Sequence, residues 1–269
     1  MLLSAELKNN EKVQSDLINL WDEVFCGERE YAKLILPFLS HFDCYAVFEK
    51  GEIVSAMYLL PCFIDVSGKT YKGKYLYAAA TKEESRNNGY MSSLINEAVN
   101  NNKNEIDFIS LVPADDDLYS YYGRFGFKAV MENYETDLKC INDRNNIINV
   151  GKTAEEINSK RKERFSKFHY YDEKTMEYAL GCYRFFDTDY FGVNGSLVLF
   201  SDEDKTVFEV LTEKGDYTEL LKQNLGGEIK IISSEKINES SEKVKCGMVL
   251  SFSEELKKEK EIYMNLTLM

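Results

Sequence analysis

Apolar positions along the chain fall into two rhythms. Val13, Leu17, Leu20, Trp21 and Val24 lie at i, i+4, i+7, i+8 and i+11, the spacing of one face of an amphipathic helix. A second helix is predicted over 28–39, shortened by Pro37. The pattern then turns β-rich. The run DCYAVFEKGEIVSAMYLLPCFIDV is interrupted by Glu49-Lys50-Gly51-Glu52 and reads as a hairpin. KYLYAAAT is a further strand ending at Thr81. Helical spacing returns over 89–102 with Met91, Leu94, Ile95, Ala98 and Val99. IDFISLV (106–112) is apolar nearly throughout, as expected of a strand covered on both faces. A short helix over 117–124 and a long strand, FKAVMENYETDL, complete a mixed α/β set.

The polar, Asn-rich segment 139–154 marks a boundary, so residues 1–140 and 150–269 are expected to form two domains. Beyond it the pattern predicts helices near 155–166 and 172–186, a hairpin in SLVLFSDEDKTVFEVL, a helix over 216–224 and a strand over 228–233. CGMVLSF and EIYMNLTL read as the last two strands. The second half repeats the coarse layout of the first in shortened form, without the fixed period of a solenoid.

Composition narrows the function classes. The 269 residues are 44% hydrophobic and 29% charged, the profile of a folded globular chain. No apolar run is long enough for a membrane span, and the first residues show no basic and apolar leader. With 33 Lys and Arg against 46 Asp and Glu the formal charge is −13, which argues against a nucleic-acid partner and favours cationic ones such as amines. Cys26, Cys44, Cys62, Cys140, Cys182 and Cys246 are scattered without a C-x-x-C pair, the pattern of reduced cytoplasmic thiols. Two histidines, His41 and His169, are too few for a histidine-based metal site, and no metal is expected.

The candidate chemistry sits in Tyr77-Ala78-Ala79-Ala80-Thr81-Lys82-Glu83-Glu84-Ser85-Arg86-Asn87-Asn88-Gly89-Tyr90-Met91. A strand passes through a short polar turn into a helix that begins at Gly89. Free amides at a helix start favour a phosphate, Gly89 permits unusual dihedrals, and Arg86 adds a charge-assisted contact. By itself R-x-x-G reads first as an ordinary strand-to-helix turn with a solvated Arg. It is neither a G-x-G-x-x-G fingerprint nor a P-loop. Downstream lies Leu118-Tyr119-Ser120-Tyr121-Tyr122-Gly123-Arg124-Phe125-Gly126-Phe127.

Together these segments resemble the GNAT superfamily of acetyl-CoA-dependent N-acetyltransferases. Arg86-x-x-Gly89-x-Met91 is similar to its pyrophosphate loop, although that loop usually ends in Gly or Ala where Met91 stands. Tyr122-x-x-x-Gly126-Phe127 is similar to its later Tyr-x-x-x-Gly-Phe. Ala80-Thr81 and Tyr-Gly-Arg-Phe-Gly-Phe look like the enhanced-intracellular-survival type, without its sterol-carrier-like part. The resemblance implies a GNAT acyl-CoA N-acyltransferase fold followed by a shorter, degenerate GNAT-like region. It implies acetyl-CoA as co-substrate and a primary amine as acceptor, a small cationic molecule or a peptide. A non-catalytic acyl-CoA-binding or sensor module is the alternative reading. Ala79, Ala80 and Thr81 would hold the pantetheine arm and polarise the thioester. Arg86, Asn87, Asn88, Gly89, Tyr90 and Met91 would hold the pyrophosphate. Tyr122 would protonate the leaving thiolate, and the Met91 side chain should point into the core. The base would be the C-terminal carboxylate at Met269 or an acid among Asp115, Asp116 and Asp117. The structural reading of those three is a helix N-cap run with Asp117 as the cap.

Overall fold

Asn10 opens the first helix by accepting the amides of Lys12 and Val13 on its side chain. The predicted stripe becomes the buried face of α1 (Glu11–Val24). In the computed structural model, which describes residues 10–25, 29–141, 147–149, 151–212 and 217–264, α2 (Arg29–Leu39) follows. It runs through Pro37 instead of stopping there, because Pro37 lies in the last turn, where little helix remains to disrupt.

The expected hairpin joins β1 (Asp43–Glu49) to β2 (Glu52–Val66). Lys50 and Gly51 both have positive φ, 51° and 84°, which matches the twist of a two-residue turn. β3 (Lys69–Thr81) begins five residues before the predicted strand. Then come α3 (Tyr90–Asn102), β4 (Phe108–Leu111), α4 (Asp116–Gly123) and β5 (Lys128–Lys139).

The second half contains β6 (Ile148–Asn149), α5 (Ala154–Arg164), β7 (Lys167–Tyr171), α6 (Glu173–Phe185), β8 (Thr188–Val193), β9 (Ser196–Ser201), β10 (Thr206–Leu211), α7 (Tyr217–Asn224), β11 (Glu228–Ser233) and β12 (Glu242–Ser251). Thr153 and Glu156 form a capping box that starts α5. The short strands β7 and β8 were not anticipated, because each is a brief run pressed against helical signals. Of the predicted final strand over EIYMNLTL, Ile262 and Tyr263 pair as isolated bridges, and 265–269 lie outside the described residues.

The sheet order is β1-β2-β3-β4-β12-β5-β11-β10-β9-β8-β6, with β7 attached to β2. If β1 to β5 are matched with β8 to β12, the first ten positions form a palindrome. The last strand of each half has crossed over. β12 pairs antiparallel with β4, and β5 pairs antiparallel with β11. The two exchanged strands pair with each other at the centre.

A second feature closes part of this sheet on itself. The segment at Ile262 and Tyr263 bridges Met131 of β5 on one side and Phe168 of β7 on the other. β7 in turn pairs with β2. The path β2-β3-β4-β12-β5, the 262–263 segment and β7 therefore returns to β2 as a ring. Its interior is filled by Cys62, Tyr75, Phe108, Met131, Tyr171 and Ile262, all 1% exposed or less. Gly73 is required there, since a Cβ would lie 2.3 Å from the Phe108 ring. α1, α2 and α6 pack with this interior, while α3 and α4 cover the opposite face of β2 to β4.

Candidate active site

Gly73, Lys74 and Tyr75 of β3 pair in parallel with Phe108, Ile109 and Ser110 of β4, and the ladder stops there. Residues 76–81 of β3 continue along β2 only. The register against β2 shifts between Ala56 and Tyr58, and Ala78 adopts φ 50°. A bulge of this kind bends a strand, and past Tyr75 the edge of β3 has no β4 partner; this unpaired region is the wedge between the two strands. Ala78 and Ala79, which line the bend, are half-buried, while Ala80 is buried. Ser55 fixes the strand end, with its hydroxyl donating to Ala80 O at 3.1 Å and lying 2.9 Å from Thr81 Oγ1.

The wedge leads to the polar turn. One 3-10 turn, Glu83–Ser85, precedes Arg86, whose Nε donates to Thr81 O at 3.3 Å. Asn87 has φ 66°, and Asn88 Nδ2 donates to Ser85 O at 3.3 Å. Gly89 is the N-cap of α3 with φ 76° and no capping side chain. Nothing lies within 4 Å of where its Cβ would be, so the glycine serves the left-handed backbone. The amides of Tyr90, Met91 and Ser92 head the helix with no carbonyl a turn earlier to receive them. Tyr90 hydrogen-bonds Glu49 Oε2 at 3.2 Å. Met91 is half-buried against the cluster under α3, the orientation expected for a residue bulkier than Gly.

α4 closes the far side. Asp115, not Asp117, is its N-cap, accepting from the Leu118 amide at 3.0 Å. The helix starts one residue earlier than predicted, which moves the cap back and leaves Asp116 and Asp117 in its first turn. Ser92 Oγ and Tyr121 Oη, 3.2 Å apart, tie α3 to α4. Gly126, at φ 91°, turns the chain so that Phe127 is buried with its ring 6.0 Å from Tyr122. The Tyr122 side chain is itself buried. Burial first, then Tyr121 and Asp115, push its pKa up to about 12, so it carries its proton at neutral pH. Tyr122 is also among the groups that raise the Tyr75 pKa.

The predicted residues 79–81 and 86–91 thus share one wall and mouth, with Tyr122 under α4. Met269 lies outside the described residues. Sequence reading missed Ala78, which makes the bulge, and the buried contact of Ser110 with His169 beside Tyr75. The run of three alanines after Tyr77 was the available signal for the first. Among the described residues Cys44, Cys62, Cys140, Cys182 and Cys246 are free, no His/Cys/Asp/Glu group has metal-holding geometry, and no helix is long and apolar enough to cross a membrane.

This geometry agrees with comparison to known proteins. Residues 8–130 match the family model of the acetyltransferase (GNAT) domain. Over those residues, just under half of the chain, the sequence is that of a GNAT acetyltransferase domain. Solved structures extend the likeness over the rest. A GCN5-related N-acetyltransferase from Kribbella flavida is 12% identical with a TM-score of 0.67, covering 94% of this chain and 72% of that one. Eis1 from Mycobacterium abscessus is 9% identical with a TM-score of 0.66, covering 89% and 71%. A probable N-acyltransferase of unknown function from Enterococcus faecalis is 14% identical with a TM-score of 0.64, covering 89% and 70%. At these identities the likeness is one of fold, and it includes the second, GNAT-like half. No curated protein matches the sequence.

Proposed function

We propose that this GNAT protein transfers an acetyl group from acetyl-CoA to a primary amine on a small cationic molecule. The observation that carries the reading is the wedge between β3 and β4, which runs from a bulged strand to the left-handed turn before α3. A pyrophosphate fits the donors there. The first-turn amides of α3 point outward from open space at Gly89, and Arg86 stands beside them. The edge of β3 at Ala79 and Ala80, where no β4 partner pairs with it, suits an extended, amide-bearing arm such as pantetheine.

Bound acetyl-CoA would supply an activated acetyl thioester. The chain's part is positioning and proton control. A backbone amide near Ala80 polarises the acetyl carbonyl. Tyr122 holds a proton to well above neutral pH and delivers it to the departing sulfur. The acidic run at Asp115, Asp116 and Asp117 removes the proton of the incoming ammonium. The charge of −13 raises the local concentration of cationic acceptors.

Tyr122→Phe tests the reading. It is expected to lower amine-dependent release of CoA thiol by ~100-fold while leaving acetyl-CoA affinity nearly unchanged. Equal turnover in the variant removes Tyr122 from the chemistry. Acetyl-CoA binding without thiol release for any amine would favour a binding module.

A further inference from the structure

The wedge has an inner end, and its construction bears on the donor. The last β3–β4 pair is Tyr75 with Ser110. Behind it, inside the ring, stands His169 from β7. Its Nε2 lies 3.2 Å from Ser110 Oγ, and Ser110 Oγ lies 3.7 Å from Cys62 Sγ. The imidazole packs against Tyr75 at 6.1 Å, Tyr171 at 5.1 Å and Phe108 at 6.4 Å between ring centroids. Ser110 is 0% and His169 2% exposed. Burial and the charge of Arg161 hold the histidine pKa down to about 3, so this wall is uncharged at neutral pH. The interior beyond has no spare volume at Gly73, where even a methyl group would meet Phe108.

We propose that Tyr75, Ser110 and His169 form a stop for the donor's acyl group, and that His169, supplied by the second half, restricts the donor to short acyl chains of about two or three carbons. The proposal rests on the acyl-CoA reading above. A group entering the wedge with its thioester at the bulge has its terminal carbon directed at this wall. A longer chain must either displace a ring from a packed interior or fold back, and each costs affinity.

The test is calorimetric titration of the full chain with CoA, acetyl-CoA, propionyl-CoA and octanoyl-CoA. The expected result is similar binding of CoA, acetyl-CoA and propionyl-CoA, with octanoyl-CoA at least tenfold weaker. His169→Ala is expected to narrow the acetyl-to-octanoyl ratio while CoA affinity stays as it was, a combination that general loosening of the fold would not produce. If His169→Ala does not fold, Tyr75→Leu trims the same wall from the first half and should narrow the ratio likewise. Octanoyl-CoA binding as tightly as acetyl-CoA in the native chain overturns the stop. An unchanged ratio in a folded variant overturns the part assigned to the residue replaced. Failure of CoA itself to bind overturns the acyl-CoA reading, and this inference with it.

Discussion

The two halves of the molecule build the same wedge and use it differently. In the first, β3 bulges at Ala78 after its ladder with β4 ends, and small residues leave the gap open. In the second, β10 pairs with β11 only at Thr206 and Val207, and its register against β9 shifts by one residue at Phe208. The next residue is Glu209, where the first half has alanines. Glu209 is fully buried and accepts from Arg161 Nε at 3.0 and 3.1 Å, and Tyr190 hydrogen-bonds its other side. Arg161, on α5, is 1% exposed. A buried ion pair thus sits at the bulge of the second half, where the first half has small side chains. The shared topology explains why the halves pack as a palindrome. The side chains at one bulge explain why a single site is expected.

The comparison breaks hardest at the plug. Glu209→Ala leaves a buried guanidinium unpaired and is expected to cost about 3–5 kcal/mol of stability, read from denaturant midpoints. Replacing Arg161 and Glu209 together with Met and Leu should recover most of that loss. A plug whose loss costs nothing would mean that the second wedge is not held shut by the pair.

A smaller effect tests the piece that the second half inserts in the first. His169 titrates near 6.5 when unfolded and near 3 when folded. Its contribution is complete above pH 6.5 and is lost as pH falls toward 3, because the unfolded chain takes up a proton that the folded one refuses. His169→Asn should therefore remove up to about 1.4 kcal/mol per pH unit from the slope of stability against pH in that window. Parallel slopes would contradict the burial of a neutral imidazole.

The smallest expected change is at the open site. Gly89→Ala forces a side chain into φ 76°, at a cost of roughly 1 kcal/mol, although no neighbouring atom obstructs it. Acetyl-CoA affinity should fall by several-fold as the left-handed turn relaxes. Unchanged stability and affinity would show that the turn does not need glycine.

Much of the first half was legible because its signals are local. The stripe of α1, the turn at Lys50 and Gly51, and Gly89 at a helix start each depend on neighbours within a few residues. The cap at Asp115 instead of Asp117 is a two-residue shift among three adjacent acids, each able to cap. What stayed hidden depends on distant partners. Ser110 and His169 are 59 residues apart. The exchange of β5 and β12 joins β4 to a strand more than 130 residues downstream, and nothing in the alternation of CGMVLSF says which half it completes. A chain cut at 140–150 would leave β4 and β5 without the strand between them, although composition alone marks that segment as a boundary. Glu209 was unremarkable in sequence, and only its burial against Arg161 reveals its role.

Whether the chain has one open wedge or two is read from the stoichiometry of acetyl-CoA binding in a calorimeter. One equivalent per chain is expected, abolished by Arg86→Glu with Gly89→Glu and retained when Arg161 and Glu209 are replaced together. Two equivalents in the native chain, or one that survives the change at Arg86 and Gly89, would contradict it.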